Sequence, residues 1–92
     1  MLKSKQGYTR LRAWLNEYGK SGMTDKEAMK AFLEVENPET INSLRAELMA
    51  VSRGEYEEKV FDVLVGRARK ARYGSYQQWG KLMLQWMASQ RM

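Results

Sequence analysis

The chain has 92 residues, a length that makes one domain, and its 43% hydrophobic and 29% charged residues are those of a protein with a packed core. It contains no Cys and no His, which removes disulfides, thiolate nucleophiles, imidazole bases and the usual zinc ligands. A net charge of +5 and a pI near 9.6 favour an anionic partner such as nucleic acid, an acidic protein surface or a lipid headgroup surface.

From these properties the expectation is a single, non-enzymatic domain with no cofactor and no metal, suited to a reducing, cytoplasmic setting. The opening Met1-Leu2-Lys3-Ser4-Lys5-Gln6-Gly7 has no apolar run behind its charges, so no signal peptide is expected. The longest aliphatic run, Val63-Leu64-Val65, is far shorter than a membrane span.

A single Pro and apolar residues recurring at spacings of three and four predict an all-α fold, a compact bundle of about five short helices. The first helix is expected over residues 8–18, with Leu11, Trp14, Leu15 and Tyr18 on one arc. Gly19-Lys20-Ser21-Gly22 ends it, glycine at the boundary supplying a left-handed cap.

The second helix opens on the capping box Thr24-Asp25-Lys26-Glu27 and ends near residue 36. Ala28, Phe32 and Val35 form its buried stripe, flanked by Met29 and Leu33. Asn37-Pro38 then starts the third helix, Asn37 as cap and Pro38 at the first position, where its missing N–H costs nothing. Ile41, Leu44, Leu48 and Val51 line its inner face, and Asn42, Ser43, Ala46, Glu47 and Ala50 the outer one.

Ser52-Arg53-Gly54 closes the third helix, and a fourth is expected over residues 55–72, with Tyr56, Val60, Val63, Leu64, Ala68 and Ala71 inward and Phe61 and Val65 widening the arc. Residues 60–65 also fit a strand, being rich in β-branched side chains. The acidic residues before them and the alanines after them favour the helix. The fifth helix starts at Ser75-Tyr76-Gln77-Gln78, a second capping pattern, and sets Tyr76, Trp79, Leu82, Met83, Trp86 and Met87 on one arc. That arc reads as core, or as an interface that would make a homodimer.

Two patterns that suggest catalysis fail on inspection. Gly19-Lys20-Ser21 matches the end of the phosphate-cradling G-x-x-x-x-G-K-[ST] loop, but Trp14 stands where that loop requires Gly and a helix precedes it instead of a strand. The carboxylates Glu34, Glu36 and Glu39, and Glu55, Glu57, Glu58 and Asp62, have neither an apolar pocket nor a nucleophile in the pattern to make an acid–base pair.

Residues 8–51 resemble helix-turn-helix and winged-helix DNA-binding domains. The likeness rests on an opening amphipathic helix with Leu11 and Leu15, on Gly22-Met23-Thr24-Asp25-Lys26-Glu27-Ala28 starting a short second helix, and on Ile41-Asn42-Ser43-Leu44-Arg45-Ala46-Glu47-Leu48. It implies that the third helix enters a major groove and presents Asn42, Ser43 and Arg45 to it. The turn at residues 35–39 is longer than that family's, Glu47 puts an anion where phosphates would press, and no wing follows Val51.

The second candidate site is Arg67-Ala68-Arg69-Lys70-Ala71-Arg72 followed by Tyr73 and Tyr76. Its cations suit phosphates and its rings suit exposed bases. Arg67, Arg69, Lys70 and Arg72 would supply positioning charge, helped by Arg53 and Lys81. The same order, acids before cations along one helix, is what the helix dipole favours, with Arg69 and Lys70 expected on the polar side and Arg67 beside the apolar arc.

Overall fold

The computed structural model describes residues 7–20 and 22–90; the charged opening segment before Gly7 and Ser21 of the Gly-Lys-Ser turn lie outside them. The described chain folds as helices α1 (Thr9–Glu17), α2 (Asp25–Val35), α3 (Pro38–Ser52) and α4 (Glu58–Phe61), a π-helical turn (Asp62–Gly66), α5 (Arg67–Tyr73) and α6 (Tyr76–Gln90). No strand occurs among the described residues, so residues 60–65 are helical. No helix among them is long and apolar enough to cross a membrane.

Local chemistry places the starts of α2, α3 and α6. Thr24 accepts a hydrogen bond from the Glu27 amide and Glu27 accepts one from the Thr24 amide, each at 3.1 Å, completing the capping box of α2. Asn37 accepts from the Thr40 amide at 2.9 Å with Pro38 following, and Ser75 accepts from the Gln78 amide at 3.0 Å ahead of α6. Each side chain satisfies a donor that the first helical turn leaves without a partner.

The long helix α6 is the centre of the bundle. It packs on α3 along one side, on α2 along another and on α5 near its start, while α1 lies on α3. Gly80 makes the α3–α6 approach possible: a Cβ there would stand 2.9 Å from Val51 Cγ1 and 3.3 Å from the Ser52 backbone nitrogen. The core between the helices holds Leu11, Trp14 and Leu15, then Ala28, Met29 and Phe32, then Ile41, Leu44, Leu48 and Val51, all closed by Tyr76, Trp79, Met83 and Met87. Trp86 lies at the edge, edge-on to Tyr73.

Phe61 is the hub of a smaller aromatic group. Tyr56 stacks on it at 4.6 Å between ring centroids, and Tyr8 and Tyr76 meet it edge-on at 5.1 and 5.5 Å. Offset and edge-on pairs of this kind add stability beyond the area they bury. They fasten the turn before α4 to α1 and α6.

Five expectations need correction. The helix over residues 55–72 is not continuous: it begins at Glu58, widens into a π turn and breaks at Gly66, whose φ of 104° lies in a region that side chains with a Cβ rarely adopt. Its buried stripe is Phe61 and Val65, whereas Val60, Val63, Ala68 and Ala71 are exposed, Val63 by 88%. Val35, expected inside, is 71% exposed at the last position of α2; Ala50, expected outside, is buried. Gly19 is not a left-handed cap. Its missing Cβ instead lets the Arg69 guanidinium and the Leu15 carbonyl come close, and Gly22, φ 90°, takes the turn.

Candidate nucleic-acid interface

The outer face of α3 follows from its inner one. With Ile41, Leu44, Leu48 and Val51 turned to the core, Asn42, Ser43 and Ala46 are left exposed, Met49 stands beside them 44% exposed, and Arg45 lies half-buried at the margin. Arg45 donates from Nη1 to the Asn42 carbonyl Oδ1, so the two side chains expected to meet bases are joined to each other.

Glu47, expected to repel phosphates, is used elsewhere. Its carboxylate accepts from the Leu11 amide at 2.7 Å and the Arg10 amide at 3.1 Å, at the start of α1. Helix α1 has no cap of its own: Tyr8 occupies the cap position in the left-handed region without a side-chain bond, and no acid stands in the first turn. Glu47 thus supplies both hydrogen bonds and a negative charge at the positive end of that helix dipole. The anion is half-buried and already engaged.

The basic segment is redistributed by the break at Gly66. Arg69, expected on the polar side, is in phase with Phe61 and Val65 and turns inward. Its Nε and Nη2 bind both oxygens of Asp25 at 2.8 Å, Nη2 also donates to the Gly19 carbonyl at 2.9 Å, and Nη1 donates to the Val65 carbonyl at 3.2 Å. Trp79 Nε1 donates to the same Asp25 carboxylate at 2.9 Å, with the guanidinium 5.9 Å from the Trp79 ring centroid. Arg69 therefore knots the loop after α1, the start of α2, the π turn and α6.

Asp25 is buried, and burial by itself raises a carboxyl pKa; the hydrogen bonds from Arg69 and Trp79, the Arg69 charge and the nearby Arg72 outweigh it and hold the group below its ordinary value. Lys70 is paired with Glu58 and sits over the Tyr76 ring, and the bond to Glu58 raises its pKa. Arg67 reaches Asp62 at 3.6 Å while remaining 81% exposed, and Tyr76 donates to the other Asp62 oxygen at 2.6 Å. Only Arg72 of the four makes no ion pair among the described residues; it lines a shallow cleft with Met23, Thr24, Asp25, Ala68 and Arg69, near enough for its charge to act on Asp25.

The predicted residues thus divide. Asn42 and Arg45 are brought together with Ser43 beside them, Arg67 and Arg72 are exposed on α5, Lys70 is held by Glu58 at the surface, and Arg69 is withdrawn into a largely buried ion pair. Arg53 is held by Glu55 at 2.8 Å, whereas Lys81 is exposed. Sequence reading missed the exposed cations Lys26 and Lys30 of α2 and the role of Asp25. A signal for Asp25 was present: it lies three and seven residues before Ala28 and Phe32, in phase with the buried stripe.

These features define an all-α domain with a small polar face on one surface helix and scattered exposed cations. Comparison with known proteins adds nothing to that class: no family model, no curated protein and no solved structure matches the chain.

Proposed function

We propose that this chain is a non-catalytic nucleic-acid-binding domain that lays the outer face of α3 on duplex DNA. One observation carries the reading: on that face Asn42, Ser43 and Ala46 are exposed and short, and of the acids nearest them Glu47 is committed to α1, while Glu39 stands exposed one turn earlier. Small side chains let a helix backbone approach base edges, and Asn and Arg read them. Arg67 and Arg72 would then serve as phosphate contacts, with Lys81 and the α2 lysines as further candidates. The likeness of residues 8–51 to helix-turn-helix domains supports the same reading by analogy of fold.

An adaptor that docks partners through a Trp and Met face is less well supported, since Trp79, Met83 and Met87 are fully buried. The observation in favour of a protein partner lies elsewhere, in exposed Val60 and Val63 flanked by Lys59 and Arg67. An acidic partner would meet that edge and leave α3 untouched.

Titration of duplex and single-stranded oligonucleotides at two salt concentrations tests the reading. Binding should weaken steeply with salt, and the double variant Arg67→Glu/Arg72→Glu should lower the slope of log K against log salt by roughly 0.9 for each phosphate no longer neutralised. These two side chains are exposed, so their reversal leaves the fold intact, as reversal of Arg69 would not. Absence of binding even at low salt overturns the proposal.

A further inference from the structure

The amide of Asn42 is the group on α3 best suited to reading a base, and its hydrogen bond with Arg45 alters what it can read. A guanidinium carries donors only, so the atom it meets must be the amide oxygen, which settles how the Asn42 side chain is turned. Oδ1 is then engaged by a cation. What remains is the second lone pair of Oδ1, now beside a positive charge, together with the Nδ2 amino group and the Arg45 donors not used in the bond. Arg45 has no acidic partner among the described residues to draw those donors away.

The two edges a purine shows in the major groove respond differently to such a pair. Adenine places an acceptor, N7, beside a donor, the N6 amino group; guanine places two acceptors, N7 and O6. A free Asn matches adenine because it offers one donor and one acceptor. With Oδ1 facing a guanidinium, the N6 amino group of adenine would approach an oxygen already bound and meet a positive charge beside it. Guanine meets donors from both side chains.

We infer that the Asn42–Arg45 pair is one specificity unit, turning a residue that by itself selects adenine into part of a positively charged, donor-rich surface that selects guanine. The inference rests on the nucleic-acid reading of α3 and names the base that this face prefers. Both side chains lie outside the core, so their replacement leaves the bundle folded, which far-UV circular dichroism of each variant verifies.

The test enriches a pool of duplexes with a randomised central segment on the immobilised full chain and sequences what is retained, for the natural protein, Arg45→Ala and Asn42→Ala. The natural protein should enrich guanine over adenine at one position by about tenfold, the discrimination of a single good pairing. Arg45→Ala should move the preference at that position to adenine, because Oδ1 is released. Asn42→Ala should keep guanine through Arg45 alone.

Enrichment of adenine by the natural protein, or an unchanged guanine preference in Arg45→Ala, overturns the inference. Retention of duplexes with no base preference does the same while leaving DNA binding in place. Retention of no duplex at all removes the nucleic-acid reading and the role of the pair together.

Discussion

Removing the Asp25 carboxylate would leave the Arg69 guanidinium facing two backbone carbonyls and an indole ring with no counter-charge. Breaking a largely buried pair from one side costs about 3–5 kcal/mol, and because Arg69 keeps 22% of its side chain exposed the lower end applies. Asp25→Ala should therefore lose about 3 kcal/mol in urea unfolding. The pH dependence has a fixed sign. A carboxyl whose pKa is depressed on folding contributes stability above its unfolded pKa of about 3.9 and loses it as pH falls through the folded value, so acid unfolding should steepen below pH about 4 and flatten in Asp25→Asn. Tyr8 gives the opposite limb: burial, then Glu55 and Glu47, push its hydroxyl up to about 12. Its contribution is whole below the unfolded pKa of about 10 and fades as pH rises through the folded value, which absorbance at 295 nm will register as tyrosinate appearing late. None of this was legible in composition, since Asp25 reads first as a member of a capping box and its partner lies 44 positions away.

At the scale of elements, the helices with side-chain caps were legible in the chain and the irregular one was not. Thr24, Asn37 and Ser75 announce their helices because a cap acts within a few residues, on chemistry that spacing alone reveals. The break at Gly66 is different: a lone Gly in a helical pattern costs only about 1 kcal/mol, so it gives no clear stop signal. Which of Val60, Phe61, Val63, Leu64 and Val65 faces inward is decided by the aromatic group around Phe61, not by the period of the run. Substitution separates two kinds of glycine here. Gly66→Ala, with nothing near its new Cβ but φ at 104°, should cost about 1–3 kcal/mol through backbone strain. Gly80→Ala, unstrained in φ but pressed on Val51, should cost a similar amount, about 1–3 kcal/mol, through overpacking, and Val51→Ala should recover part of it. A double-mutant cycle by thermal unfolding tells them apart, since Gly66→Ala is not relieved by the second change.

Over the whole molecule, a net charge of +5 says less about partners than it suggested, because folding buries Arg69 against Asp25 and pairs Lys70 with Glu58 at the surface, while Arg67 stays exposed beside Asp62. The outer face of α3 was readable from the sequence because burial of Ile41, Leu44 and Leu48 leaves little choice for Asn42, Ser43 and Ala46. The fate of Arg69 was not, since it depends on a chain reversal that brings residues 19, 25 and 79 to one point. The hydrogen bonds of Glu47 have a bearing on time as well as on charge. Helix α1 borrows its cap from a residue 36 positions along the chain, whereas α2 and α3 carry theirs within reach. A helix whose cap comes from a distant residue is expected to be assembled late, after the α3 that carries Glu47 has formed. Glu47→Gln should then leave the refolding rate nearly unchanged and accelerate unfolding, the signature of a low-φ site in stopped-flow chevrons. Slower refolding to match the lost stability would instead place α1 among the first parts of the molecule to form.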